Sequence, residues 1–313
     1  MCGIAGYITK KNTRLNHKDL EKRGNIYNGL LTAMQERGTD SSGTAFVNKN
    51  YCRLVKSDKN ASELILKRRY SNALNANTPI AIGHTRYATL GDTIKRNAHP
   101  FLRDSIIGVH NGQIKNLDDF KKLDYQVDSE IIFKLLAETK NDYKKVFKKL
   151  SGTFTVVYSD LSEKDYHLYI TKHDNPIYFA YVKQLKTIFY ASTELALRSI
   201  IVSHFKKFDI TTIKEDQFIK IDSNLNIERS KVEFKPISYG VYSYPSYGGF
   251  YQDNDTCLEC GLKSDSCNCY METCDSCQNH ANYYIDDDSI LCKDCFDSYK
   301  DYISKNKLEY HKI

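Results

Sequence analysis

The chain opens MCGIAGYIT (residues 1–9), a thiol set directly ahead of a short apolar run. Gly3–Thr9 has the short, β-rich look of a buried strand, too brief for a helix. Loss of Met1 would leave Cys2 as the first residue. Its own α-amine, with a pKa near ~7.7–8.0, would then stand beside its thiol, a base next to a nucleophile. Gly3 and Gly6 let the backbone bend closely around a substrate.

Outward from this strand, GTAFVN (43–48), PIAIGHTR (79–86) and SIIGVHNG (105–112) repeat the buried-strand pattern. TFTVVYS, YHLYITK, PIYFAYV and TIFYAS follow between residues 153 and 192, with turn residues separating them. Helical spacing of apolar residues marks His17–Gln35, Ala61–Leu74 and Tyr143–Leu150. Asp128–Ala137 begins with an N-cap residue and turns Ile131, Ile132 and Leu135 toward a core. This order predicts two stacked sheets flanked by helices, not a doubly wound parallel sheet.

Five further segments stand in order behind Cys2: MQERGTDSSG (34–43), GHTRYATLG (83–91), NAHPF (97–101), HNGQIKN (110–116) and DSEII (128–132). Taken singly, Asp128 reads as a helix cap and Asn111-Gly112 as a turn. As an ordered set behind an N-terminal cysteine, they resemble the glutaminase domain of class II glutamine amidotransferases over about residues 1–227. The resemblance implies an α+β fold, the four-layer αββα sandwich of N-terminal-nucleophile hydrolases. It also implies hydrolysis of glutamine through a Cys2 thioester. Asn111 and the Gly112 N–H would be the oxyanion donors, Arg86 would hold the substrate carboxylate, and Asp128 the substrate ammonium. Tyr87, Ala88 and Thr89 would belong to the loop that closes over glutamine. Arg37 would support the nucleophile. His99, like His84, is expected to be a supporting, structural residue, since the α-amine is the base. An amidohydrolase of the same fold acting on another γ-glutamyl or amide substrate is the first alternative. An inactive scaffold is the second.

From about Pro236 the character changes. The expected division is a glutaminase domain over 1–235, a Tyr/Gly-rich linker over 236–256, and a cysteine-rich tail over 257–313. Eight of the ten cysteines lie in that tail: Cys257, Cys260, Cys267, Cys269, Cys274, Cys277, Cys292 and Cys295. Three C-x-x-C pairs and one C-x-C give enough thiolates for two structural zinc ions in a zinc-ribbon-like module. Their pairing is open, as is whether His280 replaces one thiolate. An iron–sulfur cluster is the other reading. Cys52 has no motif around it and is expected to be buried or half-buried.

Residues 245–313 carry 6 Lys/Arg against 13 Asp/Glu, whereas the whole chain has a net charge of +6. An acidic tail disfavours nucleic acid as its partner and favours protein docking. No run approaches ~18 apolar residues, so no membrane span is expected. The opening lacks a secretory pattern, and the expected location is the cytoplasm. No synthase-like region follows the domain, so the expected partner is a separate ammonia-accepting synthase or ligase.

Overall fold

The strand Gly3–Thr9 (β1) turns Ile4 and Ile8 into one core and Ala5 and Tyr7 into another. All seven of its residues are buried, as the unbroken apolar run predicts. The structure, a computed structural model, describes residues 2–49, 51–74, 78–88 and 91–236, with short backbone strands between 251 and 312. The chain divides into two compact units, Met1–Ser238 and Tyr239–Ile313.

In the first unit, β1 is followed by α1 (His17–Ala33), β2 (Ser41–Asn48), β3 (Tyr51–Ser57), α2 (Ala61–Ile65), α3 (Arg68–Leu74) and β4 (Ile80–Arg86). Then come β5 (Phe101–Arg103), β6 (Ile106–Ile114), α4 (Ser129–Glu138), α5 (Tyr143–Phe147), β7 (Gly152–Asp160) and β8 (Leu168–His173). The last elements are β9 (Tyr178–Val182), β10 (Thr187–Ala191), α6 (Glu194–Val202), β11 (Ile210–Thr212), β12 (Gln217–Ile221) and β13 (Ile227–Lys231).

The strands form two antiparallel sheets, one of seven in the order β11-β9-β10-β1-β4-β2-β3 and one of six in the order β13-β12-β8-β7-β6-β5. Three apolar clusters show how these stack. Ile4, Ile8, Ala45, Ile82, Val109, Val157 and Ile219 interlock between the sheets. On the outer face of the seven-stranded sheet, Tyr7, Phe46 and Phe189 pack against Ile26, Leu30, Tyr70 and Leu197 of the helices. Beyond the six-stranded sheet, Phe154, Val156 and Phe218 meet Ile132, Phe133, Leu136 and Phe147. The layer order is helix, sheet, sheet, helix, and the expected α+β class with antiparallel sheets stands.

Three helices differ from their predicted extents, and α5 stops at Phe147 rather than Leu150. The α1 helix ends at Ala33, and Met34–Arg37 tightens into a 3-10 turn. The stretch Ala61–Leu74 is two helices, α2 and α3, broken at Leu66-Lys67. Buried Tyr70 lies six residues after buried Leu64, so one continuous helix would turn it off the core-facing side. The break restores it to the core.

In the second unit, Tyr251–Gln252 pairs with Thr256–Cys257, and Tyr283–Ile285 pairs with both Ile290–Leu291 and Tyr310–Lys312, all antiparallel. Most of the expected linker and the thiols of all eight tail cysteines lie outside the described residues.

Candidate active site

Strand ends build the site. Cys2 precedes β1, Arg86 ends β4, and the two strands pair with Gly3 opposite Thr85. Asn111 and Gly112 come from β6 in the facing sheet, and Asp128 caps α4 behind it.

The Cys2 thiol is half-buried. Its sulfur accepts the Tyr87 N–H at 3.3 Å and lies 3.5 Å from the Tyr87 carbonyl, to which the S–H donates. Burial raises the thiol pKa; the Tyr87 backbone bond and the positive charge of Arg86 act against that, and Asp128 adds to it. A thiol in this state is protonated near neutrality and needs a base.

Behind the sulfur, the Cys2 carbonyl accepts two bonds, from Arg37 Nε at 2.8 Å and from Asn111 Nδ2 at 2.9 Å. These two bonds fix the Cys2 backbone. Asn111 Nδ2 also donates to Ser192 Oγ at 3.0 Å. Ser192 Oγ in turn accepts the Ile4 N–H at 2.9 Å, and the Ser192 N–H donates to the Ile4 carbonyl, also at 2.9 Å. Gly112, at φ +138, leaves no room for a Cβ, which would collide with the Thr153 carbonyl.

Arg86 is buried, and its guanidinium donates to the carbonyls of Asp92 at 3.0 Å and Gly91 at 3.1 Å. Burial lowers its pKa, while Cys2, Asp40 and Asp128 pull it back up, which places all three within electrostatic reach. The Asp128 carboxylate accepts the Ser129 N–H at 2.8 Å and the Ile114 N–H at 2.9 Å. It is therefore a cap and a fixed negative charge together.

His84 and His99 lie below. Both are buried, their rings 4.0 Å apart. Burial pushes the His84 pKa down to about 3, against its bond to the His110 carbonyl, and pushes His99 well below the ordinary range, where the neighbouring His84 and His110 add to the effect. Both imidazoles are neutral near pH 7 and inside the core.

The structure thus gathers Cys2, Arg37, Arg86, Tyr87, Asn111 and Asp128 about one strand end. Ala88 adjoins, its N–H donating to Asp40 Oδ2 at 2.8 Å. Thr89 lies outside the described residues. Sequence reasoning missed two residues, Ser192 and Asp40. Asp40 stood in a quoted motif without a role, and a serine closing a strand gives no signal of its own. Among the described residues no group of three or more His, Cys, Asp or Glu could hold a metal ion. No helix among them is long and apolar enough to cross a membrane.

Comparison with known proteins points the same way. Residues 84–199 match the model of a glutamine amidotransferase domain. The chain is 29% identical over 268 residues to the glutamine–fructose-6-phosphate aminotransferase of Staphylococcus aureus (strain Mu50), covering 78% of this chain and 42% of that protein. The Helicobacter pylori (strain J99) protein of the same name is 28% identical over 278 residues, covering 83% of this chain and 44% of the relative. The chain spans less than half the length of these curated relatives. In fold it is similar to the glutamine phosphoribosylpyrophosphate amidotransferase of B. subtilis, with a TM-score of 0.56 at 15% identity over 74% of this chain and 49% of that one. A second structure, described as the allosteric regulatory enzyme of purine biosynthesis, gives 0.57 at 16% identity over 75% of this chain and 50% of that one. Residues 84–199 thus match a glutamine amidotransferase domain, and the fold around them is shared with amidotransferases of known structure.

Proposed function

We propose that this domain hydrolyses glutamine to glutamate and ammonia with Cys2 as nucleophile. The observation that carries the reading is the convergence on one half-buried thiol of a guanidinium, a carboxylate and a side-chain amide, Arg86, Asp128 and Asn111. A free amino acid offers a carboxylate and an ammonium, and Arg86 and Asp128 are the matching pair.

With Met1 removed, the Cys2 α-amine takes the thiol proton as the sulfur attacks the side-chain amide carbon. The oxyanion meets the Gly112 N–H and Asn111 Nδ2, one of whose hydrogens turns to it from the Cys2 carbonyl. The C–N bond breaks as the α-amine returns its proton to the leaving nitrogen, and ammonia departs. Water then attacks the thioester, giving glutamate and the free thiol. His84 is a poor base at its lowered pKa, which leaves the α-amine for this task. Mass spectrometry of acid-quenched protein with glutamine should show a glutamyl adduct on a peptide starting at Cys2. No adduct on a chain with free Cys2 would count against the thioester.

The tail is read as a structural zinc module. Eight thiols in closely spaced pairs suit two tetrahedral ions, and a short acidic segment gains stability from them. The ammonia would pass to a synthase or ligase on a separate chain, with the tail as docking element. Elemental analysis of the purified chain tests the metal content directly.

A further inference from the structure

The end of β1 remote from Cys2 opens into a recess of about 400 Å³. Its walls carry Lys10, Lys11, Arg23, Lys49 and Lys164 against one carboxylate, Asp165. That carboxylate is already engaged: one oxygen accepts from Lys11 Nζ at 3.1 Å and from Ser223 Oγ at 2.6 Å. Among the described residues, Lys10, Lys49 and Lys164 form no ion pair, so three ammonium groups stand at the mouth without a carboxylate partner from those residues.

The floor is built rather than incidental. Arg23 comes from α1, is only 1% exposed, and still lines the recess. Its guanidinium donates to Thr9 Oγ1 at 3.1 Å and sits 4.7 Å from the centre of the Tyr7 ring, so its charge is held in place. The Thr13 hydroxyl, also in the lining, is buried without a hydrogen-bond partner among the described residues. A buried hydroxyl left unpaired is costly, and a ligand oxygen would satisfy it.

We propose that this recess binds a small phosphorylated molecule bearing at least two negative charges. A guanidinium in the floor, ammonium groups at the rim and a waiting hydroxyl match phosphate oxygens in number and charge. A recess of this size fits a metabolite, whereas a nucleic-acid strand would follow an open basic groove. Thr9 and Cys2 sit at opposite ends of β1, roughly 23 Å apart at strand rise, so the ligand does not compete for the thiol. The proposal is independent of the glutaminase reading.

Isothermal titration of the full chain with inorganic pyrophosphate tests it. The comparison is between the unaltered chain, Lys10→Glu/Lys164→Glu, and a control pair with the same charge change elsewhere, Lys206→Glu/Lys207→Glu. All four lysines are exposed, so the fold should survive, checked by an unchanged Tm. Lys49→Glu is the second variant should the first prove unstable. Saturable one-to-one binding is expected in the unaltered and control proteins, weakened at least about tenfold in the recess variants. Absence of saturable binding, or equal weakening in the control pair, would overturn the proposal. So would a single-stranded oligonucleotide that displaces pyrophosphate at lower concentration and loses affinity in the same variants.

Discussion

Asn111 Nδ2 donates to the Cys2 carbonyl and to Ser192 Oγ. Ser192 therefore orients the group proposed to meet the oxyanion. Ser192→Ala should lower kcat by about 5- to 10-fold with little change in KM, the worth of one neutral hydrogen bond. Asn111→Ala should cost on the order of 100- to 1000-fold. Steady-state glutaminase kinetics separate the two. The buried histidines give a pH signature. Their folded pKa values are depressed, His84 to about 3, so the unfolded chain binds more protons below its ordinary value near ~6.5. Their contribution is fully present above that point and is lost as pH falls toward 3. The urea midpoint should drop between pH 6.5 and 4, and less steeply in His84→Gln. At this scale the sequence was informative through the order of its segments. Cys2, Arg86 and Asp128 could be singled out because their segments stand as an ordered set that resembles a known family; taken singly, Asp128 reads as a helix cap. Ser192 could not, because it takes the pairing of β1 with β10 to bring its hydroxyl to Ile4 and the stacking of the two sheets to bring it to Asn111.

Elements carry these residues at their ends, and two element positions are open to test. Asp128 caps α4 and accepts from Ile114 in β6, fastening helix to sheet. Asp128→Asn keeps the size, removes the charge, and turns an acceptor into a donor against one N–H. Stability should fall by about 1–2 kcal/mol in urea titration, and the KM for glutamine should rise more than kcat falls. Gly112→Ala adds a Cβ where the Thr153 carbonyl of β7 already lies, at a φ that L residues avoid. It should give a protein with a clearly lowered Tm and no measurable turnover. The long apolar strands β1, β4, β6 and β7 were legible because burial on a sheet leaves an unmistakable pattern. β3, reading YCRLVKS, was not, since an edge strand mixes exposed Tyr51 and Arg53 with half-buried Cys52 and Leu54. The break between α2 and α3 was hidden too, because apolar spacing over 61–74 does not show that Leu64 and Tyr70 need different helix phases.

The whole molecule is two units of different character. The first holds all the proposed catalytic residues and three apolar clusters of its own, so a chain ending at Ser238 should fold and keep forming glutamate. Removal of metal by a chelator should release about two zinc ions per chain and leave that activity in place. Charge asymmetry and cysteine spacing are what set the expected tail apart in sequence, although the ligand pairing depends on a three-dimensional arrangement that spacing alone does not fix. The central claim is that Cys2 is the nucleophile of a glutaminase. Its most direct test is glutamate formation from glutamine by the Met1-processed protein and by Cys2→Ala, with the N-terminal mass recorded for each. Turnover by the first and none by the second is the predicted result. Equal glutamate formation by both would contradict it.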